Sequence, residues 1–178
     1  MKKLFATALS LSAFALTTLW AADVFADGSE AEDTGDEFAP EQVETDPAKL
    51  SHSEAASMIR SAGISVYSSG GCSDRNRSNC TSFEQINATT VNGVITLKRA
   101  SGCSITITGG TETGHASGTY SHWNGYKVDV GMTSCVTNYV HRNFAYQGKR
   151  GDGAPLYKSS AGNLYADEGS HWDITYFN

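Results

Sequence analysis

The sequence has no Cys-x-x-Cys pair, no internal repeat and no regular alternation of strand and helix patterns. The first absence argues against a cysteine-held zinc site, which needs close cysteine spacing. The second removes repeat architectures, and the third removes a parallel βαβ sheet. No basic residue lies between Asp27 and Pro47, a stretch with nine acidic ones (Asp27, Glu30, Glu32, Asp33, Asp36, Glu37, Glu41, Glu44 and Asp46) and little apolar content to bury. Such a stretch is expected to be a disordered linker, with a propeptide that covers the domain as the rival reading. From Ala48 onward eleven Lys or Arg face nine Asp or Glu, so the formal net charge of −6 is unevenly placed.

What precedes the linker is a short positive start, Met1-Lys2-Lys3, and an apolar run from Leu4 to Ala22. Thr7, Ser10, Ser12, Thr17 and Thr18 dilute that run, which argues against an uncleaved membrane anchor, and no cysteine follows it as a lipoprotein would require. Residues 1–26 therefore read as a signal peptide cleaved after Ala26, with Ala21 the second choice. Residues 27–47 are the acidic linker and 48–178 a single domain, for which the length leaves room. A secreted or periplasmic monomer is expected, with no nucleic-acid partner and no stable membrane insertion once the leader is removed.

Export would place the cysteines, Cys72, Cys80, Cys103 and Cys135, where disulfides persist. Three pairings exist. Cys72 with Cys80 and Cys103 with Cys135 is favoured, because the first closes a short polar loop and the second ties a strand to a later element.

Ser51 and Glu54 have capping-box spacing, and Ala55, Met58, Ile59 and Ala62 share one helical face before Gly63. Ile64 to Tyr67 alternates as a brief strand, and Ser68 to Asn79 is a loop. Thr81 or Ser82 is expected to cap a second helix running to Lys98-Arg99, broken near Gly93. Cys103 to Thr108 alternates strictly as a strand, with a loop from Gly109 to His115 at its end. Tyr126 to Val130 is another strand, with Val128 and Val130 facing a core and Lys127 and Asp129 facing away. Thr133 to Phe144 is a helix, Gln147 to Gly153 a polar turn, and Leu156-Tyr157 and Leu164-Tyr165 flank a hairpin. Trp172 to Phe177 closes the chain as a strand. The mixture is α+β: a small antiparallel sheet with flanking helices.

His122 and Asp129 are seven residues apart with Gly125 between them, so a loop can fold the imidazole back over the strand that carries the carboxylate. His171, Asp173 and Thr175 share one face of the last strand, which meets Asp129 if the two strands are neighbours. Two imidazole nitrogens and one carboxylate oxygen suit zinc, and a three-ligand set leaves a position for water. Glu168, three residues before His171, can stand beside that water as a general base.

His122-x-x-Gly125-x-x-x-Asp129 followed by Glu168-x-x-His171-Trp172 resembles the zinc signature of the D-alanyl-D-alanine metallopeptidases. That group includes D,D-carboxypeptidases, vancomycin-resistance dipeptidases, phage endopeptidases and the hedgehog domain. The likeness covers about residues 80 to 178 and includes the strand and loop from Ile105 to Gly110. It implies His122, Asp129 and His171 as Zn2+ ligands, Glu168 as general base, and a hydrolase acting on peptidoglycan of the cell wall. His115, Ser121, Thr111 and Asp173 are further candidates for substrate contact or ligand support. The chain departs from the family at Tyr120, where a serine is usual, and at Lys127, where a small residue is usual. It also lacks an arginine across Thr108 to Glu112. Two functions are expected from this resemblance: an exported zinc peptidase (carboxypeptidase or endopeptidase on the stem peptide), or a non-catalytic zinc-bearing module that binds cell wall or protein.

Overall fold

The computed structural model describes residues 48–177, which belong to the second of two units of the chain, Val43–Asn178. The expected signal peptide, residues 1–26, and the expected acidic linker, residues 27–47, lie outside the described residues. The fold is α+β.

The first helix, α1 (His52–Ser61), begins at the Ser51 capping box, in which Ser51 accepts from the Glu54 amide and Glu54 from the Ser51 amide. It buries Ala55, Ala56 and Ile59, whereas Met58, expected on the buried face, is 36% exposed. A short strand, β1 (Lys49–Leu50), precedes it and pairs with β3 (Ile86–Asn87); β2 (Ser65–Val66) follows it.

The second helix, α2 (Ala88–Ser101), starts five or six residues later than its sequence pattern predicts, with Asn87 at its N-cap. The reason is tertiary. The Ser82 amide donates to the buried Glu112 carboxylate at 2.8 Å, and Thr81 Oγ1 donates to the Tyr67 carbonyl at 2.8 Å, so this segment is held by remote partners ahead of the helix. The helix also runs unbroken through Gly93, where a Cβ would overlap the Tyr176 ring. That glycine serves close packing rather than a break.

The main sheet has seven strands in the order β2-β4-β5-β9-β8-β7-β6, with β4 (Thr106–Gly109), β5 (Lys127–Gly131), β6 (Ala145–Lys149), β7 (Pro155–Lys158), β8 (Leu164–Asp167) and β9 (His171–Thr175). It is larger than expected and not wholly antiparallel, since β2 pairs with β4 in parallel. The Gln147 to Gly153 segment expected as a turn is partly strand, and the turn itself spans Arg150–Gly153.

Val128, Val130, Trp172, Ile174 and Tyr176 are buried with Phe83, Val91 and Val94 of the segment leading into and along α2. The helix α3 (Ser134–Asn143), capped by Thr133, adds Val136 and Val140 to that core. Both disulfides have the expected pairing, Cys72 with Cys80 and Cys103 with Cys135. No helix among the described residues is long and apolar enough to cross a membrane.

Candidate metal centre

Alternation along β5 and β9 sends apolar side chains into the core and leaves Lys127, Asp129, His171 and Asp173 to the other face. The strands are neighbours, with Asp129 opposite Asp173 and Gly131 opposite His171. Asp129 and Asp173 are only 6% and 7% exposed, so two carboxylates sit side by side out of water. Like charges directly opposite destabilise a sheet unless something positive lies between them.

His122 arrives from a turn tied off by hydrogen bonds from Gly125 to the His122 carbonyl and from Tyr126 to the Ser121 carbonyl. Gly125 has φ +80, and a Cβ there would stand 2.5 Å from the Gln85 carbonyl oxygen, so the turn requires glycine. His122 Nδ1 donates to the Gly110 carbonyl at 2.7 Å. A carbonyl only accepts, so Nδ1 carries a proton and Nε2 points away, toward the carboxylates. Gly109 completes the cradle, because a Cβ there would run into the Asp129 carboxylate.

His122 Nε2 lies 3.3 Å from Asp129 Oδ1 and 3.7 Å from Asp173 Oδ1, and His171 Nε2 lies 3.6 Å from Asp129 Oδ1. Asp129 Oδ1 and Asp173 Oδ1 are buried without a hydrogen-bond partner. Burial works to lower the His122 pKa, but the two facing carboxylates outweigh it and raise it to about 9. Burial likewise works to raise the Asp173 carboxyl, yet the facing His122 imidazole and the hydrogen bond from Lys127 hold it well below the usual range. Lys127 Nζ donates to Asp173 Oδ2 at 2.7 Å and is a fixed counter-charge for that buried carboxylate.

One donor atom each from His115, His122 and Asp129 lies within 4.8 Å of the other two, so this group could hold a metal ion. His115 stacks on His122, with centroids 3.8 Å apart and planes at 15°, and its Nδ1 is 3.8 Å from Asp129 Oδ2. Its Nε2 pairs with Glu112 Oε1 at 3.2 Å.

Glu168 stands at the rim. Its Oε2 is 3.2 Å from His171 Nε2, and its other oxygen accepts from Arg150. Arg150, on the turn between β6 and β7, also donates to Asp173 Oδ2 at 2.7 Å and to both oxygens of Asp152. These groups line a cavity of about 550 Å³ together with residues 114–116 and 150–152.

His115, His122, Asp129, Glu168, His171 and Asp173 thus share one cavity. Ser121 and Thr111 do not line it. Ser121 Oγ accepts from the Asn124 amide, and Thr111 Oγ1 donates to the Glu84 carbonyl at 2.7 Å, so both brace the loops. His52 accepts from the Phe83 amide and stacks on the Phe83 ring, while His141 packs on Tyr157, which places both in structural roles.

Sequence reasoning missed Glu112 and did not place Arg150. Glu112 is 2% exposed and accepts from the Ser82 and Gly110 amides, so it holds together the loop that presents the Gly110 carbonyl to His122. Hydrogen bonds from His115 and those amides overcome burial and keep its pKa below the usual value. An acid in a Gly-Gly-Thr loop was the one available signal. Arg150 carried none, because its position depends on a hairpin folding over the site.

The class these observations define is an α+β domain with a His and carboxylate site able to hold a metal ion. No family model matches the chain, and comparison with curated proteins and with solved structures finds no match.

Proposed function

We propose that the protein is an exported zinc-dependent peptidase that hydrolyses peptide bonds of peptidoglycan, with His122, Asp129 and His171 as the ligands. The observation that carries this reading is the convergence of two Nε2 atoms on the unpartnered Asp129 Oδ1, at 3.3 and 3.6 Å. These two nitrogen–oxygen separations are near the spacing of donors on one tetrahedral zinc ion, about 3.3–3.5 Å given bonds of about 2.0–2.1 Å. The donor set, two imidazoles and a carboxylate, also suits zinc.

His115 is the less suitable third ligand. Ligand lone pairs lie in the ring plane, and two stacked rings cannot aim theirs at one point. His115 therefore supports Asp129 and Glu112 from beside the site.

When bound, zinc would polarise the scissile carbonyl and make water more acidic. Glu168 has the placement of a general base, partly exposed beside His171 and facing the cavity. It takes a proton from the attacking water and delivers it to the leaving nitrogen as the C–N bond breaks, so that a carboxylate and an amine result. Arg150 holds Glu168 and Asp173 in position and is the arginine of this site, supplied from a different loop than the resembled family uses. The decisive experiment incubates mature protein with zinc and a panel of muropeptides and reads the fragments by mass. A panel left uncut while zinc is bound would sink the enzyme reading and leave the non-catalytic module.

A further inference from the structure

Four carboxylates, Asp129, Asp152, Glu168 and Asp173, share the cavity with two fixed cations, Lys127 and Arg150. Both cations are already committed. Lys127 Nζ is on Asp173, and all three guanidinium nitrogens of Arg150 are on carboxylates: Nε on Asp152, one terminal nitrogen on Asp173, the other on Asp152 and Glu168. With a divalent ion in place the charges in the cavity cancel.

A substrate with a free carboxylate next to the scissile bond would bring a fifth carboxylate into this setting. It would have to displace Asp152 or Asp173 from Arg150, or stand beside them without a counter-ion, and either costs free energy. An internal peptide bond brings only neutral amides. From this charge balance, and resting on the peptidase reading above, we infer that the site takes chains that continue, or end in an amide, beyond the scissile bond: it is an endopeptidase site rather than a carboxypeptidase site. Two loop segments, residues 114–116 and 150–152, contribute to the lining of the cavity.

The test uses three matched peptides with one scissile bond, in which the residue after it ends in a carboxylate, ends in a carboxamide, or continues for two more residues. With zinc-loaded protein, kcat/KM for the carboxamide and the extended peptide is expected to exceed that for the acid at least tenfold. Equal rates, or preference for the acid, overturn the inference. Versions N-methylated at the scissile amide are then titrated calorimetrically into metal-free protein, where the same order of affinity is expected. Ordered binding without cleavage of any peptide would sink the peptidase reading alone, whereas tighter binding of the acid would sink the inference alone. Asp152→Asn frees one edge of Arg150 and is expected to narrow the preference to about threefold; an unchanged ratio would overturn the role given to Arg150.

Discussion

The two halves of the site differ in their access to water. In the inner half the side chains of His122, Asp129 and Asp173 are 5%, 9% and 8% exposed, whereas in the rim His171, Glu168 and Arg150 are 27%, 31% and 29% exposed. Inside, each charge must be matched by a named partner, because desolvation is costly and solvent cannot step in. Two oxygens left without hydrogen bonds there mark where a cation is wanted. At the rim, ion pairs are screened by solvent and individually contribute little to folding stability. On the proposed reading, His122 and Asp129 of the inner half would hold the ion together with His171 of the rim, and Glu168 at the rim would act as the base.

The sharpest way to break this division is to remove an inner ligand. Asp129→Ala is expected to lower zinc affinity by three orders of magnitude or more, read by competition with a chromophoric chelator. Retention of affinity within tenfold would move the ion away from Asp129.

Glu168→Gln probes the rim. It is expected to reduce kcat by roughly 10²- to 10⁴-fold, the usual contribution of general acid–base catalysis, with zinc affinity changed less than threefold. A fall in affinity as large as the fall in kcat would make Glu168 part of the inner half.

Glu112→Ala tests the loop beneath His122. Leaving the Ser82 and Gly110 amides unpaired is expected to cost about 2–4 kcal/mol, seen as a lower Tm. The sign with pH follows from the depressed pKa. Glu112 contributes stability above its unfolded pKa, near 4.5, which is lost as pH falls through its lower folded value. Glu112→Gln should flatten the acid limb of a stability–pH profile, and an unchanged limb would rule this group out.

The smallest effect belongs to the rim pairs. Arg150→Met is expected to shift unfolding free energy by about 1 kcal/mol or less, despite its several contacts. A loss comparable to that from Glu112→Ala would show that the rim is not screened after all.

Much of this was legible in the chain. The capping box of α1, the alternation in β5 and β9 and the polar loop closed by Cys72 and Cys80 are local patterns, and each has the expected form. The start of α2 was not legible, because Thr81 and Ser82 are claimed by Tyr67 and Glu112, remote in sequence. Gly93 misled for the same reason: the ring that needs its space belongs to Tyr176.

By itself the sequence determined the α+β class, the faces of β5 and β9, and the spacing that puts His122 within reach of Asp129, since these follow from backbone periodicity and short loops. Only the tertiary structure decided that Asp129 stands opposite Asp173, that His115 stacks on His122, and that Arg150 reaches Glu168. Those relations depend on strand order and on a hairpin 18 residues from its partner. Burial and charge pairing are properties of groups brought together in space, and spacing along the chain does not encode them.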